Sequence, residues 1–196
     1  MIQARLAAPR RAALVTSLVL GAALVRAVLL PLGDFLSTAV FAACLLGITW
    51  IEGSKVRILP SPRAAGVVIK MATAVAFGVF VGALLVLPSI SGHISGRPID
   101  AFWGWAVVAA IVATLEETAI RGALYRRWLE EAGPVVAILA GAFVFALIHL
   151  PRYGFAAMPL DLAVGMALGG LRAVTGRVLP CAVAHTVADW GAWFWA

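Results

Sequence analysis

The feature that most limits the fold of this chain is a series of long apolar runs separated by short polar breaks. A helix needs about 20 apolar residues to cross the hydrocarbon layer of a membrane, so 196 residues hold at most about eight crossings and leave no room for a soluble domain. Only 12% of the residues are charged, which is too few to cover a soluble globule. A transmembrane barrel would need strands in which apolar and polar residues alternate, whereas the apolar runs of this sequence are continuous. We predict an all-α, polytopic transmembrane helix bundle.

Breaks in the hydropathy pattern predict about seven spans, and six or eight would also fit. The predicted spans are Ala12–Leu32, Phe35–Ile51, Ala64–Leu87, Ala101–Glu131, Val135–Leu150, Leu160–Val174 and Leu179–Trp195. The predicted loops are Glu52–Arg63, Pro88–Pro98 and Pro151–Pro159, and Gly133-Pro134 separates the fourth span from the fifth. We expect residues 1–196 to form a single integral membrane domain, with a motif-bearing core at about 101–195.

The first span could also be a signal peptide, because it follows a basic start. However, Arg26 interrupts the run, and no cleavage site stands out in a polar flank. We therefore expect a retained helix.

The basic residues predict the orientation of the bundle. With the N-terminus in the cytoplasm, ten Lys and Arg residues fall in inner segments, two fall in outer segments, and Arg26, Lys70 and Arg121 lie within spans. The inner ones are Arg5, Arg10, Arg11, Lys55, Arg57, Arg63, Arg126, Arg127, Arg172 and Arg177, and the outer ones are Arg97 and Arg152. Because this bias accounts for the net charge of +6, nucleic acid is not an expected partner.

Ionisable side chains inside predicted spans point to function, since each is costly in hydrocarbon unless it is paired or hydrated. The fourth span contains Glu116-Glu117-x-x-x-Arg121. Glu117 and Arg121 are four residues apart, so they share a helix face and can pair. Glu116 points about 100° away and has no local partner, which suits a general base. The alternative is a structural ion-pair network between helices.

Two further motifs carry histidines. Phe145-x-x-x-His149 ends the fifth span, and His185-x-x-x-Asp189 lies on one face of the seventh. A single histidine at a helix end is more often structural, whereas a His–carboxylate pair inside an apolar helix is harder to explain by packing. In the sixth span, Gly165-x-x-x-Gly169 predicts close packing against another helix.

The three polar motifs, in this order on successive late helices, resemble those of the CAAX protease and bacteriocin-processing membrane family. This family is also called Abi, and its members are similar to type II CAAX prenyl endopeptidases. The resemblance covers about Ala101–Trp195. It implies an intramembrane endopeptidase that cuts membrane-anchored, in some cases lipidated, substrates at the lipid bilayer. We expect an integral protein of a bacterial inner membrane.

The resemblance also implies residue roles. The catalytic set is Glu116, His149, His185 and Asp189, and the supporting residues are Glu117, Arg121 and Phe145. Glu116 and His149 would activate water, while His185 and residue 189 would stabilise the oxyanion. The family has Asn where this chain has Asp189, and an ionised Asp cannot donate a hydrogen bond. Asp189 is therefore either protonated or, as we favour, holds His185 in the required tautomer.

Other chemistry stays open. Glu116, His149 and His185 could bind zinc or another divalent metal, although no HExxH motif is present and the resemblance favours a site without metal. Cys181 stands four residues before His185, as a nucleophile before its base, but residues stacked on one straight helix seldom reach reactive geometry. A membrane scaffold or immunity-like protein, or a small ion- or proton-coupled transporter, would also use buried polar groups. The oligomeric state is not indicated.

The predicted depth of the site is inconsistent. A rise of about 1.5 Å per residue places Glu116 and His185 roughly 10 Å from the inner face, whereas His149 falls nearer the outer face. Broken or tilted helices, or a shifted span boundary, would bring His149 closer to the other two.

Overall fold

The computed structural model describes residues 9–53, 67–87 and 99–195, which are almost entirely helical, with no strand among them. Seven α-helices follow one another along this described part of the chain. They are α1 (Pro9–Leu29), α2 (Asp34–Glu52), α3 (Val67–Val86), α4 (Ile99–Glu117), α5 (Tyr125–Tyr153), α6 (Met158–Thr175) and α7 (Leu179–Trp195). The all-α prediction is confirmed. Outside the described residues lie most of the predicted loop Glu52–Arg63, all of Pro88–Pro98, and Arg5, Lys55, Arg57, Arg63 and Arg97 of the orientation prediction.

The outside of the bundle is apolar. Trp50, Phe35 and Val174 are each more than 80% exposed, and a surface of this kind is stable where it faces lipid. Five stretches of the described chain are long and apolar enough to cross a membrane: Arg11–Leu32, Asp34–Glu52, Ile69–Val86, Ala101–Tyr153 and Phe155–Thr175. The fourth stretch has 53 residues and contains a sharp bend, so these lengths leave the count of about seven crossings a prediction.

The bend lies at Gly133, near the start of α5. Its φ of 84° is in the left-handed region that favours glycine, and Pro134 has no N–H with which to continue the preceding helix. The chain turns back here, because Gly141 beyond the bend faces Ile120 before it, with 3.6 Å between the Ile120 side chain and the place of a Cβ on Gly141. The predicted break at Gly133-Pro134 is confirmed.

A π-helical segment, Thr118–Leu124, joins α4 to α5. Here the backbone N–H of Tyr125 reaches the carbonyl of Ile120, five residues earlier. All seven residues of the segment are buried, and π-turns inside helices occur frequently at functional sites. The Arg121 carbonyl in this segment accepts a hydrogen bond of 2.9 Å from Nε of Arg172 on α6. A side chain from another helix therefore fixes the irregular backbone.

Small residues allow α6 to approach α5 closely. A Cβ added to Gly165 would lie 2.7 Å from the Cα of Ala142, and one added to Gly169 would lie 3.0 Å from the side chain of Ile138. Contacts this short leave no space for a side chain. The packing predicted from Gly165-x-x-x-Gly169 is confirmed.

A second glycine pair, not predicted from the sequence, joins α3 to α7. A Cβ on Gly78 would lie 2.7 Å from the carbonyl oxygen of Pro180, and one on Gly82 would lie 2.6 Å from that of Ala184. The same four-residue spacing in the printed sequence would have indicated this interface.

Polar contacts join helix ends at both sides of the bundle. At one side, which we call the basic end, Glu52 at the end of α2 receives Arg126 at 2.8 Å and Arg127 at 2.7 Å from the start of α5. At the opposite side, Arg152 near the end of α5 pairs with Asp34 at the start of α2. The long arm of α5 therefore runs antiparallel to α2.

Candidate active site

Three helices bring Glu116, His149 and His185 to the same level of the bundle. Glu116 precedes Gly133 by 17 residues and His149 follows it by 16, so both lie about 25 Å from the bend along antiparallel arms. Oε2 of Glu116 lies 3.9 Å from Nε2 of His149 and 3.9 Å from Nε2 of His185. The depth estimate that separated His149 from the other two is wrong, because the two arms that meet at Gly133 are nearly equal in length.

Glu117 contacts this centre through His185. Its Oε1 lies 2.8 Å from Nη1 of Arg121 and 3.1 Å from Nδ1 of His185, and the Glu117 and Arg121 side chains are 0% and 1% exposed. The predicted pairing of Glu117 with Arg121 is confirmed. Arg121 also donates to the Gly165 carbonyl at 3.1 Å, and its guanidinium lies 4.7 Å from the centre of the Phe145 ring. Each buried charge therefore has a partner, without which its burial would be strongly destabilising.

Both histidine rings face an acceptor with Nδ1. In His149 this nitrogen lies 2.8 Å from the Phe145 carbonyl, and in His185 it lies 3.1 Å from Glu117. In a neutral ring these contacts place the proton on Nδ1 and leave the lone pair of Nε2 facing Glu116. The Phe145 ring packs against both imidazoles, at 4.4 Å from that of His149 and 5.2 Å from that of His185. These neighbouring groups thus fix the orientation of both imidazole rings.

Asp189 lies at the rim of the centre. Its Oδ1 is 3.7 Å from Nε2 of His185, beyond hydrogen-bond distance, and its side chain is 37% exposed. Glu117, rather than Asp189, therefore makes the contact that selects the His185 tautomer. This differs from the expectation drawn from the sequence, which considered only carboxylates on the same helix.

Three polar residues around the site were not predicted from the sequence. Nη1 of Arg26 on α1 lies 3.9 Å from Oε1 of Glu116. The ring of Tyr153 stacks on His149 with 5.8 Å between ring centres and 14° between planes. Asp161 on α6 interacts electrostatically with both histidines. Arg26 and Asp161 are ionisable residues inside predicted spans, so the rule that selected Glu116 would also have selected them.

The C-terminal half of the chain, residues 98–191, matches the sequence model of the type II CAAX prenyl endopeptidase Rce1-like family. The matched segment, just under half of the chain, is similar to this family. The predicted CAAX protease family is confirmed, and the matched residues include every motif from Glu116 to Asp189. No curated protein and no solved structure matches the chain. The Rce1-like segment and the five apolar stretches long enough to cross a membrane together make this an integral membrane protein.

Within the Rce1-like segment, the α5–α6 hairpin extends only a short distance past the site. Helix α5 ends at Tyr153, only about 6 Å beyond His149, whereas α7 continues about 15 Å beyond His185. Helices α4 and α7 extend further past the site and pack together there, with 4.6 Å between the ring centres of Trp105 and Trp193. Tyr153 itself is 56% exposed. Tyr153 is therefore an exposed residue in direct contact with His149.

Cys181 contributes to packing within the Rce1-like segment. It is fully buried, and its Sγ lies 3.4 Å from the Leu168 carbonyl and 3.7 Å from the Arg177 carbonyl. The thiol thus points to backbone acceptors, and this geometry gives no support to a cysteine nucleophile.

The same Rce1-like centre contains a donor set that fits a divalent metal. One ligand atom from each of Glu116, His149 and His185 lies within 4.8 Å of the others, and two imidazoles with one carboxylate are a common catalytic zinc set. The Nδ1 contacts to the Phe145 carbonyl and to Glu117 are typical outer contacts of histidine ligands. Donors around a tetrahedral zinc lie about 3.4 Å apart. The 3.9 Å distances would therefore have to shorten by roughly half an ångström.

Proposed function

We propose that this protein is an intramembrane endopeptidase in which Glu116 and His149 activate a water molecule. The observation that carries the proposal is the 3.9 Å between Oε2 of Glu116 and Nε2 of His149. This distance is too long for a direct hydrogen bond, but one water can contact both atoms at about 2.8 Å. Glu116 takes a proton from that water as general base, and the resulting hydroxide adds to the carbonyl carbon of the scissile bond.

His185 stabilises the oxyanion that this addition forms. A positively charged imidazole carries a proton on each nitrogen, so its Nε2 donates to the oxyanion while Nδ1 stays with Glu117. Carboxylates of Glu117, Glu116 and Asp189 lie 3.1, 3.9 and 3.7 Å from the ring nitrogens and balance its charge. In this role an ionised Asp189 acts as a counter-ion and does not have to donate. The tetrahedral intermediate then collapses: its C=O bond forms again, the C–N bond breaks, and Glu116 gives its proton to the leaving amine, so that Glu116 is again a carboxylate.

The substrates we propose are membrane-associated peptides, including lipidated ones. Two observations support this class. The centre is buried among apolar helices, and the neighbouring Tyr153 is 56% exposed on a bundle with many exposed apolar side chains. In this proposal a segment held in the membrane approaches the centre beside Tyr153 without crossing a soluble surface. The family match agrees with this substrate class without specifying the sequence that is cut.

The proposed topology has seven crossings, with the N-terminus and the basic end in the cytoplasm of a bacterial cell. The grouping of Arg126 and Arg127 at one side supports this orientation. It is tested in a variant without the native cysteines. A cysteine introduced at exposed Glu130 should react with an impermeant reagent only from the cytoplasmic side, and one at exposed Leu32 only from the other side.

The test of the peptidase compares wild type with Glu116→Gln, His149→Ala and His185→Ala in nanodiscs. Each protein is incubated with a library of membrane peptides, with and without a chelator, and products are identified by mass spectrometry. We expect each substitution to lower cleavage by about 10²- to 10⁴-fold. Glu130→Gln is the matched control, because it also removes a carboxylate but at a 52% exposed position. Retained cleavage in Glu116→Gln would contradict the proposal.

Metal-assisted hydrolysis is the second candidate. It is favoured by the two Nε2 lone pairs that converge on Glu116, since Glu116, His149 and His185 would then be the ligands. A bound divalent ion would polarise water and the scissile carbonyl. Loss of cleavage with chelator, and its return with zinc, would support this candidate. Cleavage that survives the chelator would support the site without metal.

A scaffold or a transporter predicts different outcomes for Glu116→Gln. A scaffold or immunity-like protein keeps partner binding in this variant and cleaves no peptide in its wild-type form. A transporter shows solute or proton flux in liposomes that the substitution reduces. Peptide products from wild type, lost in the variant, exclude both as the sole function.

A further inference from the structure

The two carboxylates of the centre differ in how they are held. Glu117 receives Arg121 from its own helix at 2.8 Å, in a pair that is completely buried. Glu116 receives Arg26 from α1 at 3.9 Å, and the Arg26 side chain is 12% exposed. Arg26 lies outside residues 98–191, so the family match does not include it. The first carboxylate therefore depends on an arginine from the N-terminal half of the chain.

Each oxygen of Glu116 faces a different group. Oε1 faces Nη1 of Arg26, while Oε2 faces Nε2 of His149 and Nε2 of His185. The two oxygens of a free carboxylate are equivalent and exchange by rotation of the last side-chain bond. A cation beside one oxygen removes this equivalence and keeps the other directed at the histidines.

Arg26 is itself well placed for this task. Its guanidinium lies 4.9 Å from the ring centre of Phe41, and Phe41 is fully buried in the core on α2. This cation–π contact restricts the guanidinium. Nε of Arg26 is buried and makes no hydrogen bond to a described residue. Asp34 is a second carboxylate that interacts electrostatically with Arg26, but the ion pair within 4 Å is the one with Glu116.

We infer that Arg26 is a positioning residue that holds Oε2 of Glu116 towards His149 and His185. The inference rests on the proposed peptidase function, because it assigns Arg26 to the reacting carboxylate. It also makes the α1–α2 hairpin part of the active site, although the family match begins after it. Arg26 does not contact the reacting atoms and acts through Glu116.

The kinetic test compares wild type with Arg26→Met and Arg26→Lys. Misplacement of a reacting group by about 1 Å can lower a rate 10²-fold, so we expect Arg26→Met to lower kcat by roughly 10- to 100-fold. KM should stay within about twofold, since the substrate is still bound. Arg26→Lys should recover part of kcat, because it restores the charge without the planar guanidinium. Lys70→Met is the control, since Lys70 is an exposed cation in another apolar helix and lies in no contact with the site.

A second measurement needs no substrate. Thermal unfolding is recorded for wild type, Arg26→Met, Glu116→Gln and the double variant in the same detergent. If Arg26 holds Glu116, the two losses in Tm are not additive, because the second substitution removes a contact already lost. Additive losses, or an unchanged kcat in Arg26→Met, would overturn the inference. A raised KM with unchanged kcat would also overturn it and assign Arg26 to substrate binding.

The two measurements separate this inference from the proposed function. Inactive wild type with non-additive Tm losses would refute the peptidase and retain the contact between Arg26 and Glu116. Active wild type with additive losses would retain the peptidase and refute the positioning role. Where Arg26→Met is not recovered in folded form, Arg26→Lys carries both measurements.

Discussion

The central cluster and the basic end of this bundle contain the same kind of ion pair in different surroundings. We call Glu116, Glu117, Arg121, His149 and His185 the central cluster. Arginine meets carboxylate at 2.8 Å in the central cluster and at 2.7 and 2.8 Å at the basic end. The central pair is 0–1% exposed, whereas side chains of the basic end are 12–14% exposed and lie at helix ends.

The comparison shows that the position of a charged residue along its helix indicates whether its charge needs a functional explanation. At a helix end, a long side chain can direct its charged group towards the polar interface, so charge there needs no special role. In the middle of the bundle, every partner must come from the same helix, as Glu117 does for Arg121, or from a neighbouring helix, as the Gly165 carbonyl does. Charged residues that are buried in the middle of the bundle therefore point to a functional role.

The largest difference is expected when one arginine of each region is removed. Arg121→Met leaves Glu117 as a buried carboxylate without its cation, and we expect a loss of about 3–5 kcal/mol in the free energy of unfolding. Arg127→Met leaves Glu52 paired with Arg126, and we expect about 1 kcal/mol or less. Unfolding by SDS in mixed micelles measures both. Equal losses would remove the distinction between the two regions.

A smaller effect is expected from the helix contact that supports the central cluster. Gly165→Ala would place its methyl group 2.7 Å from the Ala142 backbone and force α6 away from α5, at a cost of about 1–3 kcal/mol. Because the Gly165 carbonyl holds Arg121, peptidase activity should fall as well. Gly170→Ala is the matched control: apart from its chain neighbours and its own helix backbone, no described atom lies within 4 Å of its added Cβ, and we expect a slight gain in stability. Greater damage from Gly170→Ala would refute this description of the interface.

Cys181 tests how far the chemistry of the central region extends. Cys181→Ala removes a buried sulfur that contacts only the Leu168 and Arg177 carbonyls among its described acceptors. We expect a loss of about 1 kcal/mol in stability, with peptidase activity within roughly twofold of wild type. A 100-fold loss of activity in well-folded Cys181→Ala protein would place the thiol in the reaction.

The smallest effect is expected at the edge of the basic end. Glu130 is 52% exposed and lies 3.3 Å from Arg127, and exposed pairs of this kind contribute little. Glu130→Gln should therefore change the free energy of unfolding by less than about 0.5 kcal/mol, at low and at high salt alike. A large loss that high salt suppresses would show that the basic end depends on its charges.

The helices were predictable because their signals are local. Helix α7 runs from Leu179 to Trp195, as predicted, and α2 differs from its prediction by one residue at each end. The break at Gly133 was also predicted, since glycine and proline act on the backbone next to them. Pairing within a motif, such as Glu117 with Arg121, follows from the same short-range geometry.

Contacts between distant segments were less predictable. Arg26 and Glu116 are 90 residues apart, and no spacing rule connects an arginine on α1 with a carboxylate on α4. The contact of Glu117 with His185 likewise needed the relative positions of α4 and α7. The depth of His149 relative to Glu116 was missed because it depends on the lengths of the two helical arms that meet at Gly133. The catalytic roles themselves stay predictions.

The π-helical segment makes the site sensitive to chain length as well as to side chains. In Thr118–Leu124 the backbone bonds five residues back, so deletion of one residue there would let an ordinary α-helix form with its hydrogen bonds complete. That repair would rotate Glu116 by about 100° relative to α5. A descendant with one residue fewer in this segment could therefore keep the bundle while Glu116 no longer faced His149 and His185. In this segment, the loss of one residue would therefore displace the Glu116 carboxylate without any substitution of its side chain.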